Sequence, residues 1–424
     1  MVLYLINGTY IDPVSLEFKN TPLIVYPGIN GKIEFNINIP AGTHDEVIDC
    51  TGKLITKSFA CGHHHVYSAL ALGMGAPAKT PGNFYEILKY IWWTLDKCLD
   101  KDAIEASALA TAIACAKNGV TFAVDHHASP FAIKGSLEII AKAFEKVGVS
   151  HLLCYEISDR DGEEIAAGGL EETANYLKTN QGLVGLHASF TVGDSTLKKA
   201  VSLAREHKSG IHIHVAEDMS DQENCVKYYH KRVVQRLHDE GVLSFPKTIL
   251  GHCLHLNDKE KELISCSPAW VVQNTESNLN NMVGYFDSRG LGDHIILGTD
   301  GMHSDMLRSA KAAFFAGQGI GNIDYPGVYK RFRNVHEYLR MNDFEGDGEN
   351  NLVVLDYDTP TEINSSNFYS HFLFGFESKH IQHVISNGKI IVKDRQITNV
   401  NENDVLEFAR KEGKKLWERM KNIQ

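Results

Sequence analysis

Phe59-Ala60-Cys61-Gly62-His63-His64-His65 is a short apolar run that ends in three consecutive histidines. In extended backbone successive side chains point to opposite sides, so His63 and His65 face one way and His64 the other. Two imidazoles on one side, one residue apart, make half of a metal site. The other half lies later in the chain, in Ile211-His212-Ile213-His214-Val215-Ala216-Glu217 and Leu297-Gly298-Thr299-Asp300-Gly301. For these side chains to meet, the apolar runs must be strands whose ends face one cavity. His63, His65, His214 and Asp300 together offer three nitrogens and one oxygen. That donor set suits a divalent, zinc-like ion with one position left for water. The residues read as those of a metal-dependent hydrolase.

The same texture extends outward. Short β-branched or apolar runs occupy residues 59–61, 120–124, 149–154, 183–186, 211–215, 248–250, 270–272 and 295–297. Segments with helical spacing, such as 103–117, 133–147 and 195–207, separate most of them. Eight such runs joined by helices predict an α/β fold, a distorted (β/α)8 TIM barrel. A barrel gathers the C-terminal ends of its strands around one mouth, where active sites lie. Polar residues cluster at those ends: His126 and His127 after the second strand, His187 after the fourth, His214 and Glu217 after the fifth, His252 after the sixth and Asp300 after the eighth. One such histidine alone is more often structural, but ligand-type residues at nearly every strand end mark a site. His126, His127 and His187 are expected to point into the mouth and touch substrate. Arg160, in Asp159-Arg160-Asp161-Gly162, reads either as an anion clamp for substrate or as an exposed turn arginine. Trp92 and Trp93, near the mouth, read as core packing or as a stacking surface for a flat ring. His212, His255 and His294 are expected to be structural.

Both ends of the chain are β-rich. Residues 3–6 and 10–11 flank Asn7-Gly8, and residues 383–385 and 390–392 flank Asn387-Gly388. Asn-Gly between apolar runs signals a hairpin, because a type I′ turn needs positive φ at both central positions. Residues 23–26 and 33–35 likewise flank a Pro27-Gly28-Ile29-Asn30-Gly31 turn, and 352–355 forms a further strand. Residues 1–57 and 345–400 are therefore expected to build one small β-sandwich around a barrel of residues 58–344, with residues 343–351 as the return boundary. Residues 401–424 should form an amphipathic terminal helix.

The 424 residues carry a net charge of −11 with 43% hydrophobic residues and no basic block, which argues against nucleic acid or an anionic membrane as partner. The apolar start at residues 1–6 is too short for a signal peptide or a membrane span. Eight cysteines without a C-x-x-C pair point to a reduced, cytoplasmic setting rather than a disulfide framework.

Taken together, the motifs resemble those of the amidohydrolase superfamily, in its deaminase and chlorohydrolase branch. His63-His64-His65 resembles that branch's H-x-H, and His214-Val215-Ala216-Glu217 its H-x-x-E. His252 in Gly251-His252-Cys253-Leu254-His255-Leu256 and Asp300 in Thr299-Asp300 resemble its later histidine and aspartate. Trp92-Trp93 with Leu95-Asp96-Lys97, Leu186-His187-Ala188-Ser189 and Asn274-Thr275-Glu276-Ser277-Asn278-Leu279 resemble supporting segments. A narrower likeness, to the aminohydrolases linked to selenium metabolism, rests on Asp125-His126-His127-Ala128-Ser129-Pro130, Cys154-Tyr155-Glu156-Ile157-Ser158-Asp159-Arg160, Ser304-Asp305-Met306 and His371-Phe372-Leu373-Phe374-Gly375. The chain departs from the pattern at Lys57-Ser58, where Pro-Gly is usual, and at Gln273 and Thr275, where histidine and proline are usual. It also lacks the usual Gly-Ala-x-x-Leu-Gly helix. The changes at 273 and 275 bear on the substrate pocket, and none touches a metal ligand.

The residue types suggest the chemistry. A zinc-like ion lowers the pKa of a bound water to roughly 7. Asp300 can ligate the ion and accept the water's proton, while Glu217 is placed to shuttle protons to the substrate. The resemblance implies that His252 orients the attacking oxygen or polarises the carbon under attack. One divalent ion is expected, zinc first and Fe2+ or Mn2+ as alternatives. The expected reaction is loss of ammonia from a small N-heterocycle bearing an amino group. A hydrolase that opens a cyclic amide is the rival reading. The binuclear form of that rival needs a lysine at the end of strand four, where Gly185-Leu186-His187-Ala188 has none. A catalytically silent binding relative would have lost Glu217, His252 or Asp300, and all three are present. Barrel enzymes of this size often form homodimers.

Overall fold

In the computed structural model, eight strands form one parallel sheet in chain order: β1 (Phe59–His64), β2 (Val120–His127), β3 (Ser150–Ile157), β4 (Val184–Ala188), β5 (Ile211–Val215), β6 (Ile249–His252), β7 (Trp270–Gln273) and β8 (Ile295–Leu297). The structure describes residues 2–36, 45–321 and 323–423; Met1, residues 37–44, Asn322 and Gln424, which the expected domain ranges include, lie outside them. The expected barrel is present. It closes through a parallel bridge between His64 and Asp300, with the Thr299 and Asp300 amides donating to the His63 carbonyl at 3.0 and 3.1 Å. Gly62 makes that seam possible, since a Cβ there would lie 2.7 Å from Ile296 Cδ1 and 2.9 Å from the Leu297 carbonyl.

Strands covered on both faces read as near-continuous apolar runs, which is why they are legible in the sequence. In β2, Phe122 and Val124 join Leu152, Ile249, Trp270 and Ile296 in one apolar cluster, while Ala123 packs with the residues of the surrounding helices. The helix Lys101–Lys117 starts where the Asp100 carboxylate accepts the Ala103 amide, and the helix Ser136–Val147 buries Leu137, Ile140, Phe144 and Val147.

The two chain ends form the expected sandwich. One sheet joins Thr9–Ile11, Phe18–Lys19 and Leu54–Lys57 to Leu352–Leu355, Ile381–Ser386, Lys389–Lys393 and Gln396–Ile397. The other holds Leu3–Ile6, Leu23–Val25, Ile33–Phe35 and Glu46–Asp49. Leu5, Leu23 and Val25 from the second meet Ile55, Leu352, Val354 and Ile385 from the first in a shared core. The two later turns are as expected: Leu23–Val25 pairs antiparallel with Ile33–Phe35, and Ile381–Ser386 with Lys389–Lys393.

The Asn7-Gly8 hairpin is not formed. Leu3–Ile6 instead pairs with Leu23–Val25 and Glu46–Asp49, while Thr9–Ile11 crosses to the other sheet and pairs with Leu54–Lys57. Asn7, at φ 59, turns the chain between sheets, and Gly8 lets it pass where a Cβ would come within 2.7 Å of Cys50 Cβ. Only Asn7 takes the positive φ that a type I′ turn needs at both central positions, and the partners are decided by strands distant in sequence.

At the true hairpin, Gly388 has φ +73 and a Cβ there would stand 2.5 Å from the Tyr26 carbonyl. Gly388→Ala is expected to destabilise the fold by about 2 kcal/mol or more, through both strain and clash. Urea unfolding checks this, and an unchanged midpoint would contradict it.

The terminal helix Glu402–Lys421 is capped by Asn401 and buries Val405, Ala409, Leu416 and Met420. Its Trp417 indole donates to the Leu70 carbonyl at 2.8 Å, pinning the turn Val66–Ala71 that follows β1 and carries Tyr67 into the cavity wall. Among the described residues no helix is long and apolar enough to cross a membrane.

Candidate metal centre

Strand alternation holds as read at β1. His64 turns away to Ser304 Oγ (2.9 Å), while His63 and His65 turn to the barrel axis with their ring centroids 4.8 Å apart. Each imidazole of the expected ligand set has its Nδ1 engaged from elsewhere. His65 Nδ1 donates to the His126 carbonyl (2.6 Å), His214 Nδ1 donates to the His187 carbonyl (2.8 Å), and His63 Nδ1 is hydrogen-bonded to His212 Nε2 (2.9 Å). Such outer bonds fix ring orientation and tautomer, leaving Nε2 for a cation. The three Nε2 atoms then converge. His65 Nε2 is 3.3 Å from His214 Nε2, and Asp300 Oδ1 is 3.0 Å from His65 Nε2 and 3.3 Å from His63 Nε2.

The electrostatics fit a divalent cation. Burial holds the His63 imidazole down at about 3 and His214 well below its ordinary value, so both keep a free lone pair. Burial would lower His65 as well, but contact with the Asp300 carboxylate overcomes it and raises His65 to about 9. Both His63 Nε2 and His252 Nε2 are buried without a hydrogen-bond partner among the described residues. Ligand atoms of His63, His214, His252 and Asp300 all lie within 4.8 Å of one another.

Three strand ends leave the sheet through left-handed backbone at non-glycine residues: Ala216 (φ 46), His252 (φ 66) and Asp300 (φ 52). Conformations of this kind cost energy and concentrate at functional sites. At Ala216 the kink sends Glu217 back toward the mouth, and the Asp221 carboxylate braces it by accepting the amides of Ala216 (2.9 Å) and Phe190 (3.0 Å). Glu217 Oε2 lies 3.5 Å from His252 Nε2, and Glu217 Oε1 accepts from Asn281 (3.4 Å). Burial pushes the Glu217 carboxyl up to about 7 despite the nearby His252, so it can hold a proton near neutrality. His252 is oriented by Asn278, whose Oδ1 is 2.7 Å from its Nδ1.

These groups open onto one cleft. His65, His214, Glu217 and Asp300 line it at one end; Trp92, Trp93, Asp96, Glu156 and Arg160 line it elsewhere, with His187 among the walls.

The amidohydrolase family profile matches residues 54–325. The chain belongs to the amidohydrolase family. It is 27% identical over 399 residues to the 5-methylthioadenosine/S-adenosylhomocysteine deaminase of Thermoanaerobacter pseudethanolicus, covering 88% of this chain and 90% of that one. It is 26% identical to a 5'-deoxyadenosine deaminase of Methanococcus maripaludis, covering 94% and 97%. In fold it matches a zinc-bound adenosine deaminase from Xanthomonas campestris with a TM-score of 0.80 at 15% identity, covering 99% and 98%.

In this amidohydrolase several sequence expectations are corrected. His126 and His127 do not line the cleft. His126 shares the inward face of β2 with Phe122 and Val124, and it sits beneath the ligands: its Nδ1 faces Glu156 (3.1 Å) and its Nε2 faces the Leu186 and His212 carbonyls. His127, one residue on, faces the other way and bonds Ser129 Oγ at 3.0 Å. Arg160 is neither an exposed turn residue nor an anion clamp. It is buried with each nitrogen already donating: Nε to Asp161, Nη1 to Glu156 and Nη2 to Asp96. Trp92 and Trp93 are wall residues rather than core alone, and Trp93 lies edge-on to His187 at 5.9 Å. His187 does reach the cleft, held by Thr191 Oγ1 at 2.6 Å.

Sequence reasoning treated His212 as merely structural, whereas it positions His63. It also missed Asp96, Glu156 and Asp221 as site residues, although Asp96 and Glu156 stood inside motifs already singled out. A buried acidic residue inside a strand-end motif was the available signal. The unusual Gln273 donates to Thr275 Oγ1 (3.0 Å) and accepts from Arg331 (2.8 Å), and neither Gln273 nor Thr275 is in the cleft lining, so they leave its shape to other residues.

Proposed function

We propose that this chain is a mononuclear aminohydrolase that removes an exocyclic amine, as ammonia, from a small N-heterocycle. The observation that carries this reading is the convergence of three anchored imidazoles and Asp300 with a raised, proton-holding Glu217 at one end of the cleft. His63, His65, His214 and Asp300 would hold one divalent ion, with zinc the best match to three nitrogens and one oxygen. When bound, the ion supplies a water acidified to near neutrality. Asp300 would take a proton from the attacking water as the water oxygen adds to the amine-bearing carbon. Glu217 donates its proton to the adjacent ring nitrogen, so no charge accumulates on the ring. His252, fixed by Asn278, orients the oxygen. The Asp300 proton passes to the leaving amine, the C–N bond breaks, and Glu217 recovers a proton from the new hydroxyl as it becomes an oxo group.

The relatives named as 5'-deoxyadenosine and methylthioadenosine deaminases support an adenine-like ring as the first substrate to test. All eight cysteines are free thiols, which suits the cytoplasm. The test is a panel of amino-substituted purines, pyrimidines and triazines beside cyclic amides of similar size, with ammonia and ring-opened acid measured separately. Ammonia release from at least one amine is expected; ring-opened acids as the sole products would replace this reading with cyclic-amide hydrolysis.

A further inference from the structure

A neutral imidazole offers a lone pair at Nε2 only while its proton stays on Nδ1. Two of the three converging rings keep it there directly, since His65 Nδ1 donates to the His126 carbonyl and His214 Nδ1 to the His187 carbonyl. A carbonyl only accepts, so neither hydrogen bond can reverse. His63 is different. Its Nδ1 faces a second imidazole nitrogen, His212 Nε2, at 2.9 Å, and that atom can either donate or accept. In the reversed arrangement the His63 proton would sit on Nε2, where Asp300 Oδ1 at 3.3 Å would accept it, and that nitrogen would be lost to a cation.

The direction is set further out. His212 Nδ1 faces Cys154 Sγ at 3.7 Å, and the Cys154 thiol donates to the Asp125 carbonyl at 3.5 Å. Because that carbonyl only accepts, it draws the thiol hydrogen and leaves the sulfur lone pairs toward His212. His212 then carries its proton on Nδ1, its Nε2 is left as an acceptor, and His63 keeps its proton on Nδ1. The path crosses four strands: His63 on β1, His212 on β5, Cys154 on β3 and Asp125 on β2. All three side chains are fully buried, so bulk water offers no competing partner. A thiol is a weak partner, but which nitrogen of an imidazole holds the proton is decided by the bond the other nitrogen makes.

We propose that Cys154 is a positioning residue of the metal centre, which acts through His212 to keep the proton on His63 Nδ1 and so reserves His63 Nε2 for the ion. Cys154 also packs with Phe122, Val124 and Leu152, where a cysteine ordinarily serves as a small apolar filler, and the test has to separate the two roles. The proposal rests on the ligand set given above and not on which reaction the ion serves.

Zinc titration of the chelator-stripped protein, in competition with a chromogenic chelator, reads the effect without turnover. Cys154→Val fills the space but offers no acceptor, and it is expected to weaken zinc binding by about 10-fold or more, the usual scale for losing a partner behind a ligand. Cys154→Ser both accepts and donates, as the thiol does, and should stay close to the parent. A filler role gives the opposite order, since valine suits an apolar core and serine does not. Parent-like zinc binding in Cys154→Val, or an equal loss in Cys154→Ser, would overturn the proposal. If circular dichroism shows Cys154→Val unfolded, His212→Phe takes its place: the same loss is expected, and parent-like affinity would again overturn the proposal. A parent that binds no zinc would overturn the ligand set and this proposal with it. Absence of ammonia release with the zinc affinities as expected would instead overturn only the deaminase reading.

Discussion

His63→Ala combined with His214→Ala is expected to yield a folded protein that retains no divalent ion and turns over no substrate, against about one ion per chain in the parent. The two rings come from strands β1 and β5, and each presents an Nε2 to the same point because its Nδ1 is held elsewhere. Removing both leaves one imidazole and one carboxylate, too few donors for tight binding. The barrel should survive, because its seam uses the His63 carbonyl and the Thr299 and Asp300 amides rather than the rings. Metal analysis by mass spectrometry, with circular dichroism as the folding control, reads the outcome. Full metal occupancy in the folded double variant would rule out this ligand set.

Glu217→Gln should separate binding from chemistry. The amide keeps the size of the side chain and its contact with Asn281, but it cannot carry a proton between water, ring and product. Loss of a general acid–base group typically costs 10²- to 10⁴-fold, so a fall of about 100-fold or more in kcat is expected, with the metal retained. A rise in KM alone would instead make Glu217 a binding residue, and a variant at the parent's rate would remove it from the mechanism.

Much of this was readable in the chain because barrel strands buried on both faces admit polar residues chiefly at their ends. Against continuous apolar runs, His63, His65, His214, His252 and Asp300 stand out as candidate site residues rather than as scattered surface residues. The Asn387-Gly388 hairpin was readable for a related reason: its two strands are adjacent in sequence, so turn chemistry alone decides the pairing. Asn7-Gly8 has the same chemistry, but its flanking strands pair with residues 23–25, 46–49 and 54–56, which no local rule selects. His126 and His127 failed differently. Alternation places them on opposite faces, but how deep a side chain sits along the barrel axis depends on the register of neighbouring strands.

The sequence by itself determined the barrel and the order of the strand ends, and it singled out the proposed metal donors, because hydrophobic periodicity and residue chemistry are local properties. Only the tertiary structure decided which nitrogen of each ring faces the shared centre. That choice is made by acceptors and partners 61, 27 and 149 residues away, on the carbonyls of His126 and His187 and the ring of His212. It likewise decided that Arg160 is saturated by carboxylates. The reason is physical: inside a buried site each polar group is defined by the partners that packing brings to it, and those partners come from every strand of the barrel.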